Sequence, residues 1–151
     1  MSHYRRLHVP GGTWFFTVNL ARRGATTLTD HIEILRAAYR ATALEHPIRP
    51  RAMVVMPDHI HAVWTLPEGD GDFSVRWRKI KGRFTHTVGR AAERSPSKVY
   101  KRDGGIWQRR FWEHRIRDDD ELRRAVAYVW ENPVRHGFVE KPEDWPYSSV
   151  R

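Results

Sequence analysis

The sequence predicts an α+β fold, an antiparallel sheet with helices packed mainly on one face in a ferredoxin-like or RRM-like layout. Three features carry that prediction. Apolar segments of period two and of period 3.6 alternate in the order strand, helix, strand, strand, helix, strand, helix. The two central strands are separated only by Pro57-Asp58, a hairpin signal. Finally, 151 residues with 40 % hydrophobic content, including seven Trp, six Phe and five Tyr, can fill one core, so residues 1–151 are expected to form a single domain.

Each element follows from its local chemistry. Thr13 to Leu20 is aromatic and β-branched after Pro10-Gly11-Gly12, as a strand should be. Thr29 to Glu45 carries Ile32, Leu35, Ala38 and Tyr39 on one helical face and is closed by Pro47. Arg51 to Met56 and His59 to Leu66 form the hairpin. A second helix starts at Asp72 or Ser74, because Phe73, Trp77, Ile80, Phe84 and Val88 recur at helical steps. Residues 93–105 read as a basic loop, and Ile106 to Arg117 as one or two short strands. Asp118 caps a third helix with Glu121 three residues on, close to a capping box, and Leu122, Ala125, Val126 and Val129 form its core stripe. That helix should end near Asn132, since the residue before Pro133 is pushed out of helical geometry.

Composition narrows the chemistry. With no cysteine, disulfides, thiolate metal sites and thiol nucleophiles are excluded. No apolar run approaches the roughly 20 residues of a membrane span. Met1 to Arg6 is polar with no signal-peptide core behind it, so a cytoplasmic protein without a membrane partner is expected. The formal charge is +9, and it is concentrated: Arg76 to Arg110 holds 12 Lys/Arg against two acids, leaving the rest of the chain close to neutral. Such a block, interleaved with Trp77, Phe84, Tyr100 and Trp107, suggests a phosphate-binding surface; a solvated basic face is the plainer alternative.

His59 and His61 are two apart in a strand, so both imidazoles point to one side and can reach one cation, while Ile60 and Ala62 face a core. Alone, the pair is a weak signal, and a satisfied structural pair is the commoner reading. Tyr128 and Asn132, four apart, share a face of the third helix on the flank of its core stripe, where a tyrosine can reach a cleft. A boundary aromatic and a helix C-cap before proline are the competing readings.

These residues fall within a larger set: Tyr4-Arg5-Arg6; Pro10 to Asn19; Met56-Pro57-Asp58-His59-Ile60-His61; Lys79 to Phe84; Trp107-Gln108 with Phe111-Trp112-Glu113-His114; Tyr128 with Asn132-Pro133-Val134-Arg135; and Trp145 to Ser149. In this order the set resembles the REP-associated tyrosine transposases, a branch of the single-tyrosine HUH transposases. The resemblance spans nearly the whole chain and implies an HUH endonuclease fold. It implies that His59 and His61 hold a divalent cation, Mg²⁺ or Mn²⁺, that Asn132 completes the metal site, and that Tyr128 is the nucleophile. Two imidazoles and an amide oxygen suit such a cation. The implied activity is cleavage and rejoining of single-stranded DNA near palindromic hairpins through a 5′-phosphotyrosine, with no nucleotide cofactor. A monomer is expected rather than a dimer, nucleoid-associated when bound to DNA.

The charge block and the amino terminus offer DNA contacts: Arg5, Arg6, Arg76, Lys79, Arg83, Arg94, Lys98, Lys101, Arg102, Arg109 and Arg110. Of Trp107, Trp112 and Trp145, at least two are expected in the core, and the third is free to stack on a base. Glu113 and His114 receive no catalytic role, and His86 and His136 are read as surface residues. The rival reading is a non-catalytic, single-stranded nucleic-acid binding module of RRM type, which would need neither Tyr128 nor the histidine pair.

Overall fold

In the computed structural model, residues 9–91 and 105–149 are described. Four strands, β1 (Thr13–Asn19), β2 (Arg49–Val55), β3 (His59–Thr65) and β4 (Trp112–Ile116), form one sheet in the order β2-β3-β1-β4. All its pairings are antiparallel. The helices are α1 (Thr27–Asp30), α2 (Ile32–Glu45), α3 (Phe73–Ala91) and α4 (Asp119–Arg135), followed by a 3₁₀ turn at Pro142–Asp144. The expected fold class and order of elements are those observed. Residues 147–149 add to the β2 edge, with the Val55 N–H donating to Tyr147 O and the Ser149 N–H to Met53 O.

Strand alternation divides the sheet into two faces, and each face has its own core. Trp14, Phe16, Val18, Ile60, Ala62 and Trp64 lie on one face against α2 and α3, whose five-residue stripe of Phe73, Trp77, Ile80, Phe84 and Val88 is wholly buried. Phe15, Val54, Val63 and Ile116 lie on the other, under Val129 and the half-buried Leu122, Ala125 and Val126 of α4. Two of the three long helices therefore share a face, while α4 covers the opposite one. His59 and His61, in register with Val63, point to the α4 side.

Beyond shifts of one or two residues at element ends, three boundaries differ from the sequence prediction. The first helix is split, with His31 (φ −119°, ψ 38°) separating α1 from α2. β4 is a single strand, and the segment before it contributes only a bridge between Trp107 and Leu20. Helix α4 does not stop at Asn132 but runs through Pro133 to Arg135. Proline lacks one helical N–H, but here it sits in the last turn and, like Asn132, is buried. The stop signal is Gly137 (φ +77°): its N–H bonds Val134 O, and the Phe138 N–H bonds Pro133 O, the paired closure of a Schellman motif. At the other end of α4, Asp118 Oδ1 caps the Glu121 N–H at 2.7 Å. The Glu121 carboxylate does not complete the box. It instead accepts from the Arg117 N–H and pairs with His114.

Candidate active site

The site is built where β3 and β1 pass under α4. In β3 the His59 and His61 rings stand 4.8 Å apart between centroids, and α4 lays one flank across them. The Tyr128 ring is 5.3 Å from that of His61, and two turns later the His136 ring is 5.3 Å from that of His59. Asn132 lies midway between Tyr128 and His136 on that flank and so is directed toward the histidine pair. Phe15 of β1 supports both sides, with its ring 5.5 Å from His61 and 5.7 Å from Tyr128.

The imidazoles are held by neighbours outside the strand. Asp58 Oδ1 accepts from His59 Nδ1 at 2.7 Å, and Asp58 Oδ2 accepts the Gly24 N–H at 2.9 Å. That fixes the His59 ring and leaves Nε2 with its lone pair. Burial opposes the charge on Asp58, but the bonds from Gly24 and His59 outweigh it and hold the carboxyl below its usual range. His61 Nδ1 lies 3.0 Å from Thr17 Oγ1, across the β1–β3 pairing. Burial, reinforced by the charges of His59, His136 and Arg135, pushes the His61 imidazole down to about 3. At neutral pH it is therefore uncharged, the form in which an imidazole ligates a metal.

Asn132 is 0 % exposed, and both amide atoms lack a hydrogen-bond partner. It is not a C-cap: it lies inside α4, and only its main-chain carbonyl serves the helix end, accepting the His136 N–H. A buried amide with neither atom paired costs roughly 1–3 kcal/mol, which a bound cation would offset. Two imidazoles with this amide oxygen fit a Mg²⁺- or Mn²⁺-type ion. Above them, the Arg135 guanidinium lies 4.7 Å from the Tyr128 ring centroid and adds positive charge at the mouth.

Among the described residues, the predicted DNA contacts are dispersed. Arg76, expected at the phosphates, is 0 % exposed. It donates to Asp70 (2.8 and 3.2 Å), to Pro47 O (2.8 and 3.2 Å) and to Asp72 O (2.8 Å), so it is an internal tie between α3 and the loops beside it. Lys79 and Arg83 are half-buried and paired with Glu45 of α2, on the face of the sheet away from Tyr128. Arg109 and Arg110 are exposed, Arg109 along a groove with Arg78 and Lys81. Arg5, Arg6, Arg94, Lys98, Lys101 and Arg102 lie outside the described residues. Trp107 is in the core and Trp145 is half-buried with its Nε1–H on Val55 O, while Trp112 is exposed.

No family model matches the chain. The chain is 47 % identical over 149 residues to a REP-associated tyrosine transposase of Escherichia coli K12, a match spanning 99 % of this chain and 82 % of the relative. The chain belongs to the REP-associated tyrosine transposases. A Haemophilus influenzae relative, provisionally assigned to the same family, is 44 % identical over 99 % of the chain and 85 % of its own length. A solved structure of the REP-associated transposase bound to a REP hairpin superposes with a TM-score of 0.87 over 99 % of this chain and 83 % of that one, at 47 % identity. The expected HUH transposase fold is thus shared. A Deinococcus radiodurans structure, 16 % identical with a TM-score of 0.53 over 87 % of this chain and 97 % of its own, shows likeness of fold alone.

As a tyrosine transposase the protein is an enzyme. Its fold brings His59, His61 and Tyr128 together, with the buried Asn132 one turn after Tyr128 on the same helix. Sequence reasoning missed the groups around them. Asp58 reads in sequence as a turn residue and Thr17 as a strand residue; His136 is exposed, as expected, but its ring also meets that of His59. The signal for Asp58 was its adjacency to His59; Thr17 needed the strand register, and His136 needed the helix to continue past Pro133.

Proposed function

We propose that the protein cleaves and rejoins single-stranded DNA beside palindromic hairpins, with Tyr128 as nucleophile and His59, His61 and Asn132 as the residues that hold a divalent cation, Mg²⁺ or Mn²⁺. The observation that carries this reading is the Tyr128 ring packed against His61, beside a buried, unpartnered Asn132 amide. A hairpin-bound family structure supports the choice of partner.

Tyr128 Oη attacks the scissile phosphorus as its proton passes to solvent. A P–Oη bond forms, the P–O3′ bond breaks, and the departing 3′ oxygen takes up a proton. The products are a 5′-phosphotyrosine and a free 3′-OH, which conserves the phosphodiester energy for the reverse step and needs no nucleotide cofactor. A bound cation would supply Lewis-acid polarisation of the phosphate. Asp58 and Thr17 fix the two imidazoles, and Arg135 draws the anionic strand toward Tyr128. Because α4 packs Tyr128 onto the sheet of its own chain, one copy holds a complete set of groups, in keeping with a monomer.

The test is a denaturation-resistant adduct between the protein and a single-stranded hairpin oligonucleotide in Mn²⁺. Tyr128→Phe should abolish the adduct and keep binding, and EDTA or His59→Ala should suppress it. Binding without an adduct in the wild type would favour the RRM-type module.

A further inference from the structure

Beside Tyr128 the α4 face of the sheet opens into a second feature, a cleft of about 380 Å³ lined by Phe15, Trp112, His114, Glu121, Arg124 and Tyr128. Three large apolar side chains stand out as exposed among the described residues: Leu44, Trp112 and Phe138. Phe138 packs on Trp145, and Leu44 lies on α2, across the sheet. Trp112, 55 % exposed, is the one that faces the Tyr128 cleft.

The cleft orients this ring. Trp112 and His114 are two apart on β4, so both side chains rise from one face. Their rings are parallel to within 6° with centroids 5.8 Å apart, giving two aromatic faces of one orientation. Phe15 buttresses Trp112 edge-on at 5.8 Å and Tyr128 edge-on at 5.7 Å, so the indole and the phenol flank one shared ring. Glu121 pairs with His114 and also takes the Arg117 N–H, which fixes the second ring to the start of α4. Arg124, one turn before Tyr128 on α4, is exposed and makes no hydrogen bond or ion pair with the described residues.

A flat apolar face, a nearby cation and a nucleophile one ring away match a single unstacked nucleotide: a π-face for the base and a charge for its phosphate. We propose that this cleft is a nucleobase subsite, in which Trp112 stacks on the base of the nucleotide adjoining the scissile phosphate and Arg124 contacts that nucleotide's backbone. The subsite positions the strand against Tyr128, and it rests on the reading of Tyr128 as nucleophile. Base stacking on an aromatic side chain is worth roughly 5- to 150-fold in binding.

The experiment scans single abasic sites through the cleaved strand and measures the rate of adduct formation. In the wild type one position within a nucleotide or two of the break should lose about 10-fold. With Trp112→Ala the intact strand should react about 10-fold more slowly, and an abasic site at that position should add no further loss. Trp112→Phe should restore most of the sensitivity. A full abasic penalty retained in Trp112→Ala overturns the subsite while leaving Tyr128 as nucleophile. The absence of any adduct from the wild type overturns the catalytic reading and the subsite with it.

Discussion

Replacing Arg76 with methionine separates a structural charge from a DNA-binding one. The guanidinium is wholly buried and donates to two carbonyls and one carboxylate, and the Asp70 side chain opposite it is 36 % exposed. Removing one partner of a buried ion pair costs roughly 3–5 kcal/mol. Asp70 can hydrate once abandoned, whereas Pro47 O loses both of its guanidinium donors, so the lower end, about 3 kcal/mol, is expected. With a urea dependence of about 2 kcal/mol per molar, the unfolding midpoint should fall by about 1.5 M. The folded fraction should bind a hairpin oligonucleotide with an unchanged salt dependence, because a lost phosphate contact would reduce the slope of log K against log salt by about 0.7–0.9. A midpoint left in place together with a shallower slope would refute the reasoning and return Arg76 to the DNA surface.

Three further outcomes follow from the site. Asp58→Ala should raise the Mn²⁺ concentration for half-maximal cleavage by about 10–100-fold, since the residue that fixes His59 is lost; unchanged metal titration would deny it that role. Asn132→Leu should stabilise the metal-free protein by about 1 kcal/mol by removing an unpaired buried amide, yet abolish metal-dependent cleavage; destabilisation with cleavage intact would contradict its placement. For His61, the imidazole titrates near 3 in the folded chain and at its ordinary value of about 6.5 when unfolded. Between those values only the unfolded state takes up the proton, so stability is full above pH 6.5 and declines below it. In EDTA the loss should reach roughly 2 kcal/mol by pH 5, and His61→Asn should remove that slope; a slope that persisted in the variant would assign it to another group.

Period-two and period-3.6 patterns made the site's framework legible. Ile60 and Ala62 had to face a core, which fixed the direction of His59 and His61, and Tyr128 fell on a flank because Val129 and its neighbours formed the stripe. Patterns of this kind report on which side a residue lies, not on its partners. A charge count therefore could not distinguish Arg76, neutralised inside by Asp70, from Arg109, which is exposed. Nor could it show that Lys79 and Arg83 share a partner, Glu45 of α2. The Thr17–His61 contact depends on register between strands 44 residues apart in sequence, and no local pattern encodes it. Pro133 misled because its local preference was outweighed by burial and by the Gly137 closure two turns beyond Tyr128.

The central claim is chemical and local: one phenol on α4 takes the DNA. Mass spectrometry of the protease-digested Mn²⁺ adduct tests it most directly. The expected product is a nucleotide joined through its 5′ phosphate to the peptide that contains Tyr128, with a free 3′-OH on the released strand. A 3′-phosphoryl linkage, or a modified peptide lacking Tyr128, would contradict it.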